Sequence, residues 1–287
     1  MRIAFNGSFA DRRSILPGTG VLGPGITIMT REESAVAGVP PASPSESAEL
    51  IRALAAHPDQ MATLIQALHG RAVTSEALLD AMGRLSREAV RILGGVDRAG
   101  VIARLDGPAV TVAGTDHRVL MLDDRQFSDG DGPGLQAVRT GAVVAMDVTQ
   151  LAVAWPVLAH TALRAGIGGV MAVPIHLDST PVGALNLYSA SPAVPTPDPD
   201  LLTVLTEYAQ QNLSDFITYH PPPVAAAALH AAVAQWTVVE HAIRLLRELY
   251  GFGNDYALDV LTDQAHDWNR TLPDQAAHVI ANLTPPH

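Results

Sequence analysis

Apolar residues change their spacing twice along this chain, and the changes divide it into a helical, a strand-rich and a second helical stretch. Between residues 43 and 93 they recur every three to four positions, the spacing of one helix face. Ser43-Pro44-Ser45-Glu46 reads as a capping box with proline at the first helical position. It predicts a helix to about Ala56 with Leu50, Ile51, Leu54 and Ala55 on its apolar face. Pro58-Asp59 restarts a second helix through Met61, Leu64, Ile65 and Leu68. A third, from Thr74 to about Leu93, places Leu78, Met82, Leu85, Ala89 and Ile92 on one stripe.

From Asp97 to Ser189 the period shortens to that of strands. Ala99 to Arg104 and Pro108 to Ala113 read as short strands around an Asp106-Gly107 turn, and Ala142 to Met146 as another. Gly168 to Leu177 and Pro181 to Ser189 are the clearest pair, joined by the turn residues Asp178-Ser179-Thr180-Pro181. Val182, Ala184, Asn186 and Tyr188 alternate with Gly183, Leu185 and Leu187, as in a central antiparallel strand. Pro174 predicts a bulge or a missing ladder bond. Helices are expected at His117 to Arg125, Leu135 to Arg139 and Trp155 to Arg164, with a sharp Gly130-Asp131-Gly132-Pro133-Gly134 loop between the first two. Asp198-Pro199-Asp200 caps a long helix through Leu201, Leu205, Tyr208, Leu213 and Phe216.

His220-Pro221-Pro222-Pro223 ends that helix. Beyond it Ala232, Trp236, Val239, Ile243, Leu246 and Tyr250 follow the heptad seam of a packed helix, stopped by Gly251-Phe252-Gly253. A second helix carries Ala257, Leu258, Leu261, Ala265 and Trp268. Thr271-Leu272-Pro273-Asp274 caps a third with Ala276, Ala277, Val279, Ile280 and Leu283. That is a three-helix unit.

Composition narrows the function classes. The 287 residues carry a net charge of −11, and every basic side chain other than histidine is arginine, which argues against broad charge-driven binding to nucleic acid or anionic membrane. A local arginine site is still compatible with that balance. Zero cysteines exclude disulfides, thiolate nucleophiles and Cys-ligated metals. No signal peptide pattern and no apolar run of about 18 residues is present, so a cytoplasmic protein without membrane contact is expected. Residues 1–42, rich in Gly, Pro and Ser, read as a disordered or loosely packed leader. Their Gly18-Thr19-Gly20-Val21-Leu22-Gly23 matches a dinucleotide fingerprint in letters but is flanked by prolines, not by a strand and a helix, and reads as a turn.

Catalytic and metal patterns are weak. No nucleophile elbow, His-Glu-x-x-His helix or phosphate loop occurs. Asp263, His266 and Asp267 share a helical face but read as a solvated acidic surface. Asp129-x-Asp131 lacks a glutamate at the twelfth position of a calcium loop and reads as turn chemistry. A catalytic role and a bound metal are therefore not expected, and no cofactor can be named.

Leu122-Asp123-Asp124-Arg125-Gln126, Gly132-Pro133-Gly134, Ala137-Val138-Arg139-Thr140-Gly141, Asp147, Trp155-Pro156, Ala162, Gly166, Val173-Pro174 and Gly183-Ala184-Leu185-Asn186-Leu187-Tyr188 occur in an order that resembles, over roughly residues 74 to 217, the GAF sensor domains of actinobacterial regulators. Such domains often carry Cys after the Gly-Pro pair; Gly134 stands there and excludes bilin attachment or thiol sensing. Val239-x-x-Ala242, Leu246, Tyr250-Gly251, Ala257-x-x-x-Leu261-x-x-x-Ala265-x-x-x-Asn269, Leu272 and Ala276 or Ala277 resemble an ANTAR domain, the helical module of antiterminators that bind paired RNA hairpins.

The resemblances imply an α+β fold: a GAF-like antiparallel sheet flanked by helices, then a C-terminal three-helix ANTAR-like domain. The expected divisions are 1–42, a helical segment 43–73, a sensor 74–219 and an RNA-binding tail 225–284. They imply a non-enzymatic homodimer that senses an unknown small molecule and binds RNA hairpins to regulate transcription by antitermination. Gln126, Asp147, Trp155, His160 and His176 are the candidates to line or rim the sensor cavity; their plainer reading is loop bracing. Arg244, Arg247 and Arg270 are the candidate RNA contacts, opposed from Leu229 onward by seven carboxylates, a net of −4. The family usually has Arg, Lys and Gly where this chain has Thr237, Ile243 and Arg244. The alternative is a ligand-binding or protein-interaction dimer whose tail no longer binds RNA.

Overall fold

The computed structural model describes residues 51–268 and 270–283. The expected leader, its Gly18–Gly23 motif and the Ser43 cap lie outside these residues. Residues 51–56 are helical, followed by α1 (Pro58–Ala67) and α2 (Ser75–Ile92). Strands β1 (Arg98–Ala103) and β2 (Val110–Gly114) precede α3 (His117–Asp129) and α4 (Pro133–Thr140). Then come β3 (Val144–Asp147), α5 (Val148–Ala154), α6 (Pro156–Arg164), β4 (Gly169–Leu177) and β5 (Thr180–Ser189). The chain closes with α7 (Pro199–Tyr219), α8 (Pro222–Tyr250), α9 (Asn254–Asp267) and α10 (Leu272–Leu283).

The five strands form one antiparallel sheet in the order β2-β1-β5-β4-β3. Its centre is the β4–β5 hairpin, closed by Leu177 opposite Thr180 so that Asp178, at φ 54°, and Ser179 make the turn. The alternation expected along β5 holds. Leu185 and Leu187 face α2 and α7 with Leu78, Leu85, Leu205, Leu213 and Phe216, while Ala184 and Tyr188 face the opposite side. Each of these fully buried leucines and the phenylalanine contributes about 1.5–3 kcal/mol by leaving water. The irregularity expected near Pro174 appears between Ile175 and His176. Proline is tolerated there because β3 pairs with β4 only as far as Ala172, so no β3 carbonyl waits for its missing N–H.

The sheet's other face is covered by α3, α4, α5 and α6. Helix α5 was not expected from the apolar spacing. Asp147 starts it with a full capping box: its side chain accepts from Thr149 and Gln150 N–H at 2.8 Å each, and the Gln150 side chain accepts from Asp147 N–H at 3.0 Å.

Helix α8 departs from expectation in extent. Pro222 falls at its first turn, where a missing N–H costs nothing, so the helix starts ten residues before the expected seam. Its Ala225 and Leu229 pack into the same core as Phe216, whereas Val239, Ala242, Ile243 and Leu246 form a separate core with Ala257, Leu261, Ala276 and Val279 from α9 and α10. One helix therefore belongs to two cores. Between them residues 234–237 are exposed all round, and Trp236, expected on the packed seam, is 41% exposed. The seam fails there because the helix has left one core before reaching the next. At its end Tyr250 is exposed as well.

Candidate functional site

On the α3–α4 side of the sheet, polar side chains occupy a place the strand pattern reserves for apolar ones. Asn186 and Tyr188 alternate inward from β5, and each is 1% exposed. Beneath α3 they meet Asp123, which is fully buried, and Gln126 one helical turn on. Thr111 of β2 donates to Asp123 Oδ2 at 2.9 Å. Gln126 Nε2, Asn186 Nδ2 and the Tyr188 hydroxyl converge on Asp123 Oδ1 at 3.3, 3.3 and 3.4 Å. Those three bonds are long and share one oxygen, so they compensate the buried charge only in part. Burial pushes the Asp123 carboxyl up to about 7, against the opposing pull of the Thr111, Tyr188 and Asn186 hydrogen bonds. Burial and the neighbouring Asp123 charge also raise the Tyr188 phenol well above its ordinary range. Asn186 Oδ1 has no hydrogen-bond partner.

The Gly-Pro turn forms the roof. Gly134 N–H donates to Gln126 Oε1 at 2.8 Å, and a Cβ at Gly134 would stand 2.9 Å from Asn186 Oδ1 and 3.0 Å from Ile102 Cδ1. Glycine thus lets the first turn of α4 lie directly on the polar cluster. Gly132, at φ 155°, starts that turn in a conformation that favours glycine. Asp131 pins it from outside by accepting from Arg139 Nη2 at 2.7 Å and from Gly132 N–H at 2.9 Å. Arg139 chiefly, with help from the Trp155 indole, holds the Asp131 carboxyl below its usual range. The arrangement can hold a proton on the buried carboxyl, and beside it Asn186 Oδ1 is an acceptor with no donor.

Of the five expected cavity residues, Gln126 alone lies in this cluster. Trp155 supports the roof through Asp131. Asp147 caps α5, its carboxyl lowered by the Thr149 and Gln150 hydrogen bonds. His160 is exposed on α6, and half-buried His176 sits beside Gly141 near the hairpin's end. Asp123, Asn186, Tyr188 and Thr111 escaped selection as site residues. The signal that finds three of them is polar identity at buried phase: Asn186 and Tyr188 on the inner face of a central strand, and Asp123 one turn from Gln126.

In the tail, Arg244 and Arg247 stand exposed on α8, and Arg270 lies exposed just before α10 with Nη1 donating to Gln275 Oε1 at 2.8 Å. Asp263, His266 and Asp267 are exposed on α9, and no group of three or more potential metal ligands is assembled among the described residues.

Residues 75–213 match the GAF domain family, and this part of the chain is a GAF domain, commonly a ligand-sensing module. The sheet order, the flanking helices and the roofed polar face described above all fall within it. No curated protein matches the sequence. Among solved structures, similarity extends to a type II free methionine-R-sulfoxide reductase from Thermoplasma acidophilum, at 16% identity over 50% of this chain and 95% of that one, TM-score 0.37. It also extends to the phycocyanobilin-bound GAF domain of a cyanobacterial phytochrome, at 12% identity over 62% and 99%, TM-score 0.36. A domain of a sensor histidine kinase protein from Sinorhizobium meliloti follows at 19% identity over 49% and 86%, TM-score 0.32.

Proposed function

We propose that this protein is a cytoplasmic, non-enzymatic transcription regulator. Its GAF domain senses a small molecule at the Asp123 cluster, and its helical tail binds RNA hairpins to prevent termination. The observation that carries this reading is helix α8, shared between the tail core and the sensor core on the sheet face opposite the Asp123 cluster, so that a change at the cluster reaches the tail through β5 and the sheet it belongs to. A ligand acts through it only by binding two arrangements unequally. Ile51 and Ile65, more than half exposed on the N-terminal helices, offer apolar surface for a second copy, which would pair two tails for two hairpins.

The net charge of −4 from Leu229 onward favours a second reading, a ligand-binding dimer whose tail has lost RNA. A gel-shift titration with tandem-hairpin RNA at two salt concentrations separates the two. Binding that weakens with salt, and weakens about three- to tenfold in Arg244→Ala with Arg247→Ala through lost phosphate contacts, supports the first. No binding at low salt leaves the second.

A further inference from the structure

The tail carries an open groove of about 660 Å³ between the end of α8, α9 and α10, within the size range of small-ligand sites. Its aromatic lining is unusually bare: Trp268 is 68% exposed and Tyr250 57%. Tyr250 stacks on Phe252, with ring centroids 5.5 Å apart and planes 26° apart, and Phe252 meets the edge of Tyr256 at 4.9 Å. Gly251, at φ 73°, turns the chain so that the first two rings can lie together. Over the Trp268 ring the Arg270 guanidinium carbon stands 5.9 Å from the centroid. Such rings cost solvation free energy when left in water, and here they are held in order without being covered.

The polar edge is organised too. Arg270 donates to Gln275, whose Nε2 donates at 2.9 Å to Gln264 Oε1. Asn282 spends one N–H on His278 carbonyl oxygen, which leaves its own Oδ1 able to accept. Charge distinguishes this surface from the rest of the tail. Seven carboxylates oppose three arginines from Leu229 onward, yet the described residues lining the groove include Arg270 and His278 and no Asp or Glu. Flat aromatic faces, amide groups and one guanidinium, with no carboxylate in the lining itself, suit an unstacked nucleobase with its phosphate.

Resting on the RNA reading above, we propose that this groove is where the tail takes an unpaired loop base of the RNA hairpin, stacked on Trp268 with its phosphate at Arg270. Stacking then supplies affinity that an arginine-poor surface cannot, and the interaction depends on salt less steeply than its contact area suggests.

The test uses the full chain and tandem-hairpin RNA carrying 2-aminopurine in the loop, with affinity read by anisotropy and stacking by the probe's fluorescence. Trp268→Leu is expected to weaken binding about 10- to 100-fold and abolish the fluorescence change, whereas Trp268→Phe keeps most of both. Arg270→Ala is expected to weaken binding and reduce the salt slope by about one. Native-strength binding by Trp268→Leu overturns the groove proposal and leaves the RNA reading standing. Absence of binding by the native chain even at low salt overturns both. Competition by free mononucleotide at the RNA's own concentration assigns the groove to nucleotides and overturns the loop assignment, as does a Trp268→Leu chain that changes oligomeric state while keeping its RNA affinity.

Discussion

Asp123→Asn is expected to become progressively more stable than the native chain as pH rises from 4.5 to 8, the gap widening by roughly 3 kcal/mol. The Asp123 carboxyl titrates in the folded protein near 7, well above the ordinary aspartate value. Below about pH 4 both folded and unfolded chains hold the proton and the carboxyl is neutral in its bearing on stability. Between about 4 and 7 the unfolded chain releases the proton while the folded one keeps it, so native stability falls as pH rises. Above 7 the folded chain ionises as well, and the deficit levels off. Asparagine is nearly the same shape and does not titrate, so the variant escapes this decline. Melting temperatures of both proteins at several pH values in this range measure the gap. Parallel curves would mean that the cluster exerts no hold on the proton.

Gln235→Pro is expected to uncouple the tail from the sensor. Position 235 lies in the exposed stretch of α8, where proline removes one helix hydrogen bond and collides with the preceding turn, at a cost of about 3 kcal/mol. No core side chain is touched there, so the damage is confined to the helix. Amide exchange is expected to accelerate throughout α9 and α10 and stay unchanged in β5. The RNA affinity of the variant is expected to stop responding to changes at the Asp123 cluster. Equal acceleration in β5 and α9 would show that the two cores unfold as one even with the helix broken.

Where a periodic pattern runs long enough, sequence and structure agree. The β4–β5 hairpin is legible because Leu185 and Leu187 alternate with Ala184 and Tyr188 across a two-residue turn. Helix α2 is legible because Leu78, Met82, Leu85 and Ala89 repeat over about three turns and all are buried. Helix α5 was hidden by its seven residues, too few for an apolar period to emerge, although Asp147 and Gln150 carry its cap in plain view. Trp236 misled because a heptad reports which face is apolar, and says nothing of whether a partner is present at that height. The Asp123 cluster was hidden for another reason. Thr111, Asp123, Gln126, Asn186 and Tyr188 come from three elements spread over 78 positions, and only the β2-β1-β5 pairing and the seating of α3 bring them together.

The bare stretch of α8 at residues 234–237 sets the rotational phase of one core against the other. Each residue of a helix advances the chain by about 1.5 Å and turns it by about 100°. Polar helix-forming replacements in this stretch therefore leave the assembly as it is, whereas one added or deleted residue swings the Trp268 groove about a quarter turn around the sensor. Seven added residues bring it nearly back into phase, at about 10 Å greater distance. In this part of the chain the number of residues matters more to the assembly than their identity.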